Sequence, residues 1–130
     1  MLHKFLAAAA WASIATIAFA TLTKVGFVYM VYETLAPIVA HINIRTYAHF
    51  EHIIAFAVVG ALFCLAYPRR TLVICGGLFV AAALLEVAQT LTPDRHAMIG
   101  DAIEKMLGAA LGIATVRAAL TYRLARDPKV

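Results

Sequence analysis

The sequence predicts an all-α fold: a transmembrane four-helix bundle with both termini in the cytoplasm. Three observations support this prediction: 64% of the 130 side chains are apolar, only 14% are charged, and the mean hydropathy is +0.88. Soluble globular domains do not have this composition, so the chain is expected to be an integral membrane protein. Because no Gly-, Ser- or Pro-rich linker divides the chain, residues 1–130 are predicted to form a single domain.

The first predicted helix covers residues 5–22. His3 and Lys4 precede an uninterrupted apolar run, which at about 1.5 Å per residue is just long enough to cross the hydrocarbon core of a bilayer. A secretory signal peptide is the alternative, because the basic start and Ala18-Phe19-Ala20 resemble a cleavage site. The run is longer than the apolar segment of about 7–15 residues that signal peptides carry, which favours a membrane helix.

Residues 23–49 are predicted to form a loop on the membrane surface, with room for one short helix. Gly26 and Pro37 interrupt any continuous buried helix in this segment. Its tyrosines suit the headgroup layer, which accommodates an apolar ring and a polar hydroxyl together.

Three further helices are predicted at residues 50–67, 72–91 and 101–116. The basic turn Pro68-Arg69-Arg70 separates the second from the third, and Pro93 ends the third because proline cannot continue the hydrogen-bond ladder. In the fourth helix, Gly108 and Gly112 form a face of small residues on which another helix can pack closely.

The lysines and arginines orient the four spans. One side holds seven of them, namely Lys4, Arg69, Arg70, Arg117, Arg123, Arg126 and Lys129. The other side holds four, namely Lys24, Arg45, Arg95 and Lys105. By the positive-inside rule, the first side, which carries both termini, is predicted to be cytoplasmic.

The net charge of +4 does not indicate nucleic-acid binding, because the basic residues lie at the edges of apolar segments, where they orient the chain and meet anionic lipid. Membrane lipids are therefore the expected partners, and nucleic acid is not. Cys64 and Cys75 both fall inside apolar segments, so they are predicted to be packing residues rather than a disulfide or a metal pair.

The motifs of the well-known enzyme classes are missing from the sequence. There is no nucleophile elbow, glycine-rich phosphate loop, paired-cysteine metal site or cofactor fingerprint. His49 and His52 share a helical face, but no third ligand is fixed by spacing, so this metal signal is weak. No catalytic residue, metal or cofactor is predicted.

Glu86 is the residue that most needs an explanation. It lies about six residues before the predicted end of its helix, hence roughly 9 Å inward, where an unpaired carboxylate is disfavoured. Gln89, three residues on, shares its helical face, and Asp101 and Lys105 share a face of the fourth helix. The predicted ligand-binding residues are His52, Glu86, Gln89, Arg95, Asp101 and Lys105.

Structural alternatives remain open for five of these six residues. Glu86 could belong to a buried pair that only fastens two helices, and Gln89 could hydrogen-bond across helices. Asp101 and Glu104 could cap the fourth helix, because Asp-x-x-Glu resembles a capping box. Lys105 could pair with Asp101 or extend to the interface, and Arg95 could be a solvated loop residue.

A spaced set of residues resembles the VanZ-like family of small bacterial membrane proteins. The set runs through His52-Ile53-Ile54-Ala55-Phe56, Gly60, Glu86-Val87-Ala88-Gln89, Pro93-Asp94-Arg95, Asp101 and Gly108. Two positions depart from the family pattern: Ala48-His49 stands where Asp-Lys is common, and Lys105 where asparagine is common. The resemblance implies a multi-pass, four-helix protein of the bacterial inner membrane, in a family whose founding member is associated with resistance to the glycopeptide antibiotic teicoplanin.

The leading functional hypothesis is an accessory protein whose outward-facing polar pocket binds a cell-envelope lipid or glycan headgroup. Two alternatives remain. In one, Glu86 and His52 form a proton-titrating gate in a homo-oligomeric transporter. In the other, the chain is a structural subunit of a larger membrane complex, and its polar residues only order the bundle.

Overall fold

The computed structural model describes residues 1–23, 44–91 and 98–126, and within these residues it contains four helices and no strand. They are α1 (Leu2–Leu22), α2 (Ile44–Ala66), α3 (Thr71–Gln89) and α4 (Ile99–Arg126). The prediction of an all-α, four-helix fold is confirmed.

The bounds of α2 and α4 differ from those predicted. α2 begins at Ile44, so the last six residues of the predicted surface loop 23–49 are helical instead. Gly26 and Pro37, which motivated the loop, precede this start, and the segment 44–49 contains no helix breaker. The remaining part of that loop, 24–43, lies outside the described residues.

α4 continues to Arg126, ten residues beyond the predicted end at 116. The added segment is rich in alanine, leucine and arginine, which have high helix propensity, and it contains neither glycine nor proline. Its side chains are mostly exposed, so this part of α4 continues past the apolar zone without needing a partner helix.

Within the described parts of the chain, two helices are long and apolar enough to cross a membrane, α1 and α3, and Phe50–Ala66 of α2 is a shorter apolar segment. Large apolar side chains cover their outer surfaces, including Phe5, Leu72 and Leu84. A face of this kind is stable against lipid and unfavourable against water. The chain is accordingly a membrane protein.

The helices alternate in direction, so the bundle has two distinct ends. His3 at the start of α1 lies against Tyr67 just after α2, with ring centroids 5.8 Å apart. Arg117 Nη1, late in α4, donates a hydrogen bond to the Pro68 carbonyl at 3.4 Å. One end of the bundle therefore carries the start of α1, the α2–α3 turn and the late part of α4.

The closest helix contact is between α2 and α4, where glycines let the backbones touch. A Cβ atom at Gly112 would overlap the Ala57 carbonyl oxygen, and one at Gly108 would overlap that of Ile53. Gly60 of α2 is in the same position against Ala109. Small residues on both helices thus permit an approach that larger side chains would prevent.

α1 packs against α2 through small and aromatic side chains. Ala10 is fully buried in the core, and the Trp11 ring meets Phe63 edge-on with centroids 5.2 Å apart. Trp11 Nε1 also donates a hydrogen bond to the Tyr67 hydroxyl at 3.4 Å. These contacts fix α1 on the bundle and leave its remaining surface to the lipid.

Candidate functional site

Polar side chains converge at the end of the bundle opposite Tyr67 and Pro68. We call this the polar end: it consists of the first part of α2, the last turn of α3 and the first two turns of α4. It carries His52, Glu86, Gln89, Asp101, Glu104 and Lys105.

A buried ion pair joins α3 to α4 at the polar end. Lys105 Nζ donates a hydrogen bond to Glu86 Oε1, and the two residues are 0% and 5% exposed. The second carboxylate oxygen of Glu86 accepts the backbone N–H of Met98 at 3.2 Å. Both oxygens of Glu86 are thus engaged, which is what a buried carboxylate needs to offset its loss of hydration.

The ion pair resolves two of the alternatives left open by the sequence. Lys105 has no exposed surface, so it does not extend to the interface. Its ion-pair partner among the described residues is Glu86 on another helix, not Asp101 on its own. Glu86 does belong to a buried pair that fastens two helices.

Beside the ion pair lies a more accessible group, the acid–imidazole cluster of His52, Asp101 and Glu104. His52 Nδ1 is 3.7 Å from Glu104 Oε2, and these side chains are 31% and 20% exposed. The charges of Asp101, Glu104 and Lys105 all act on the His52 ring. The cluster therefore places partly exposed imidazole and carboxylate side chains directly next to a buried, neutralised pair, and within it the facing atoms His52 Nδ1 and Glu104 Oε2 are themselves buried.

The same three residues are the described ones that could hold a metal ion. Each presents one ligand atom, and these atoms lie within 4.8 Å of one another. Imidazole nitrogen and carboxylate oxygen suit several divalent metals, but partly exposed acids also converge in this way without a metal. His49, which the sequence places on the same helical face as His52, has its side chain outside the part of the chain that the structure describes.

The structure brings most of the predicted residues together. His52, Glu86, Asp101 and Lys105 meet at the polar end, and Gln89, 6% exposed, lies on the α3 face that carries Glu86. Arg95 falls between Leu91 and Met98, outside the described residues. Their assignment as a ligand-binding set stays a prediction.

Glu104 is the member of the cluster that the sequence reasoning did not select. The sequence did contain a signal for it, because Asp101 and Glu104 are three apart and so share a helical face. Their pattern was attributed to capping. In the structure α4 begins at Ile99, so Asp101 lies inside the first turn and not at the N-cap position.

Comparison with known proteins decides the family. The model of the family described as VanZ/LLP1 matches residues 5–121. The chain belongs to the VanZ/LLP1 family. No curated protein and no solved structure matches it. The VanZ/LLP1 match extends from α1 into the late part of α4 and so includes part or all of each of the four helices. Membership supports a VanZ-like accessory protein.

Proposed function

We propose that this VanZ/LLP1 protein is an accessory protein of the bacterial inner membrane, and that its polar end binds the headgroup of a cell-envelope lipid or glycan. Through that binding it contributes to tolerance of envelope stress or glycopeptide antibiotics. The observation that carries the proposal is the partial exposure of the acid–imidazole cluster directly above a lipid-facing bundle. Polar side chains in this position meet lipid headgroups and not lipid tails.

The chemistry of the cluster indicates which headgroups fit. The carboxylates of Asp101 and Glu104 accept hydrogen bonds and carry negative charge, and the His52 ring can accept or donate. Sugar hydroxyls and ammonium groups are the complementary donors, whereas a bare phosphate is repelled by two carboxylates. The favoured ligand is therefore a hydroxyl-rich or amine-bearing headgroup. Arg95 is kept in the proposed site on sequence grounds alone, as a cation for an anionic part of the ligand.

Glu86 and Lys105 take a positioning role in this proposal. Both are buried, and they hold the end of α3 against the start of α4. This contact presents Asp101 and Glu104 to the surface on one face of α4. The pair thus shapes the site without touching the ligand.

The two alternative functions are affected differently by this geometry. A proton-titrating gate needs a carboxylate that exchanges protons with water, but Glu86 is buried and held by Lys105 and the Met98 N–H. That observation favours headgroup binding over proton-coupled transport. A purely structural subunit would also contain the ion pair. If the chain were such a subunit, variants of the partly exposed cluster would leave lipid binding and antibiotic tolerance unchanged.

The test is lipid co-purification from native membranes, measured by mass spectrometry of the intact protein. The double variant Asp101→Asn/Glu104→Gln removes both cluster charges while keeping side-chain size. We expect the retained headgroup ligand to fall by about tenfold or more, because charge-assisted hydrogen bonds contribute about 1.5–3 kcal/mol each.

Glu51→Gln is the matched control, because Glu51 is an exposed carboxylate in the same part of α2 as His52 and lies outside the cluster. Its ligand retention and its antibiotic tolerance should equal those of the unmodified protein. A folded double variant that retains every lipid and every tolerance phenotype would overturn headgroup binding and leave the structural-subunit function in its place.

A further inference from the structure

The acid–imidazole cluster has the composition of a metal site. It combines one imidazole, from His52 on α2, with two carboxylates, from Asp101 and Glu104 on α4. The three ligand atoms lie within 4.8 Å of one another. Imidazole nitrogen together with carboxylate oxygen is a ligand set that divalent first-row transition metals accept. The two carboxylates also supply the two negative charges that offset a divalent ion.

The separation of the two facing atoms fits a shared metal better than a direct contact. His52 Nδ1 is 3.7 Å from Glu104 Oε2. This separation is too long for a hydrogen bond between nitrogen and oxygen, which spans about 2.7–3.2 Å. Two ligand atoms on one tetrahedral metal with bonds of about 2.1 Å are about 3.4 Å apart. The two side chains therefore need to move only slightly to bind one ion between them.

His52 Nδ1 supplies a second, independent indication. The atom is buried, and within the described part of the chain it has no hydrogen-bond partner. Buried polar atoms are rarely left in this state, because they lose hydration without a replacement. An ion beside the ring would bind the nitrogen lone pair and satisfy it. Because the side chains of His52 and Glu104 are 31% and 20% exposed, the ion has a path from the surface.

The contact between α2 and α4 holds the ligands in position. The backbone of Ile53, the residue after His52, lies against Gly108, which is one helical turn after Glu104. Because the two backbones touch there, neither helix can rotate without losing the contact. The buried ion pair with α3 fixes α4 from a second direction. Ligands on such rigid elements are pre-positioned, which favours metal binding.

We propose that His52, Asp101 and Glu104 bind one divalent transition-metal ion, with Zn²⁺ preferred over Mg²⁺ and Ca²⁺. Mg²⁺ and Ca²⁺ take oxygen ligands, whereas an imidazole nitrogen suits Zn²⁺. Three protein ligands leave at least one coordination position open, as in zinc sites that bind a further molecule. The site assignment depends on the geometry of the cluster alone and requires no lipid.

The open position deepens the function proposed above, and this step alone rests on that function. A bound ion neutralises the two carboxylates and accepts an oxygen atom from the headgroup. An ammonium group has no lone pair to offer the ion. In the metal-bound protein the favoured ligand is therefore a hydroxyl-bearing glycan headgroup and not an amine.

Isothermal titration calorimetry of the purified protein in detergent micelles tests the ion site. The affinity tag contains no histidine, Cys64→Ala and Cys75→Ala remove thiols that also bind Zn²⁺, and a chelator removes bound metal beforehand. We expect one Zn²⁺ per chain, bound at least about tenfold more tightly than Mg²⁺. His52→Gln and Asp101→Asn should each weaken Zn²⁺ binding by at least about tenfold, because losing even an outer-shell partner of a ligand costs about 10–100-fold.

His3→Gln is the matched control for His52→Gln. It removes an imidazole at the opposite end of the bundle, where the ring lies against Tyr67. Its Zn²⁺ affinity should equal that of the parent protein. Thermal melting shows that each variant is folded, and Zn²⁺ should raise the melting temperature of the parent and of His3→Gln but not of His52→Gln. No Zn²⁺ binding by the parent, or equal affinities in His52→Gln and His3→Gln, would overturn the ion site.

The ion site and headgroup binding fail in different ways. Lipid co-purification of the unmodified protein with and without chelator separates them. If Zn²⁺ binds and chelation releases the glycan lipid, both the site and its role in recognition are supported. If Zn²⁺ binds but chelation changes no lipid, the ion site is supported and its role in recognition is wrong. If no Zn²⁺ binds while Asp101→Asn/Glu104→Gln still releases the headgroup ligand, the ion site is wrong and headgroup binding remains.

Discussion

Lys105 is a fully buried charge, and its position depends on Glu86. Removing two ions from water costs several kcal/mol each, and their mutual attraction offsets this only when the remaining polar atoms are also satisfied. The Met98 N–H supplies that additional contact to Glu86. The pair is consequently sensitive to the loss of one partner and tolerant of the loss of both.

We expect Lys105→Met to lower the free energy of unfolding by about 3–5 kcal/mol, because it leaves the Glu86 carboxylate buried without its counter-charge. The double variant Glu86→Gln/Lys105→Met should recover most of this loss, since no buried charge remains and a glutamine oxygen can still accept the Met98 N–H. Unfolding in mixed detergent micelles, followed by circular dichroism, measures both. If the loss of unfolding free energy in the double variant equalled the sum of the losses in Glu86→Gln alone and Lys105→Met alone, the pairing would be contradicted.

The sequence identified Glu86 as a residue that needs a partner, but it did not identify the partner. Spacing along one helix specifies which side chains share a face, as for Asp101 and Lys105. Which faces of two helices meet depends on their rotation and on the turn that joins them, and no spacing rule fixes either quantity. Whether Asp101 and Glu104 reach the surface beside His52 depends on the same packing. The sequence alone therefore indicated only a capping role for Glu104.

At the scale of the helices, the α2–α4 contact depends on glycines that have no room for a side chain. We expect Gly112→Ala to destabilise the protein by about 1–3 kcal/mol, because the new methyl group overlaps the Ala57 carbonyl and forces the backbones apart. Thermal melting in detergent measures the loss.

Gly76→Ala on α3 is the control, because a Cβ atom there meets nothing within 4 Å. Alanine in an open helical position is favoured over glycine by about 0.5–1 kcal/mol, so this variant should melt at the same temperature or slightly higher. Equal melting temperatures for the two variants would show that the close approach at Gly112 does not contribute to stability.

The attachment of α1 supplies a second prediction for a helix. We expect Trp11→Ala to lower the stability by roughly 1 kcal/mol, because it removes the edge-on contact with Phe63 and the hydrogen bond to Tyr67. Lipid solvates the exposed surface as well as protein does, so the loss stays near the value of these specific contacts. Phe5→Ala, at a position 73% exposed, should leave the melting temperature unchanged. A similar loss at both positions would contradict a specific role for Trp11.

The helices were predicted more completely than their contacts. Apolar runs and the breakers around Pro68 and Pro93 indicated the number of helices and the approximate bounds of α1 and α3. The start of α2 and the end of α4 were missed because polar residues do not by themselves end a helix, and both segments lack breakers. Gly108 and Gly112 indicated a packing face, but the helix against it became apparent only in three dimensions.

At the scale of the whole molecule, the two ends of the bundle differ in charge. Among the side chains that the structure describes, the exposed lysines and arginines lie at the end opposite the polar end, namely Lys4, Arg69, Arg70, Arg117, Arg123 and Arg126. At the polar end, Lys105 is buried and neutralised by Glu86. The asymmetry is larger than the sequence count of seven against four, because a neutralised and buried lysine does not resist translocation as an exposed one does.

This asymmetry predicts that the polar end faces outward, and cysteine labelling in intact cells measures it. In a background with Cys64→Ala and Cys75→Ala, Gly100→Cys places a thiol at the polar end, where a Cβ atom meets nothing within 4 Å, and Arg70→Cys places one in the exposed basic turn. A membrane-impermeant maleimide should label Gly100→Cys directly and Arg70→Cys only after permeabilisation. The reverse pattern would place the acid–imidazole cluster in the cytoplasm, and its headgroup ligand would then have to come from the inner leaflet instead of the cell envelope.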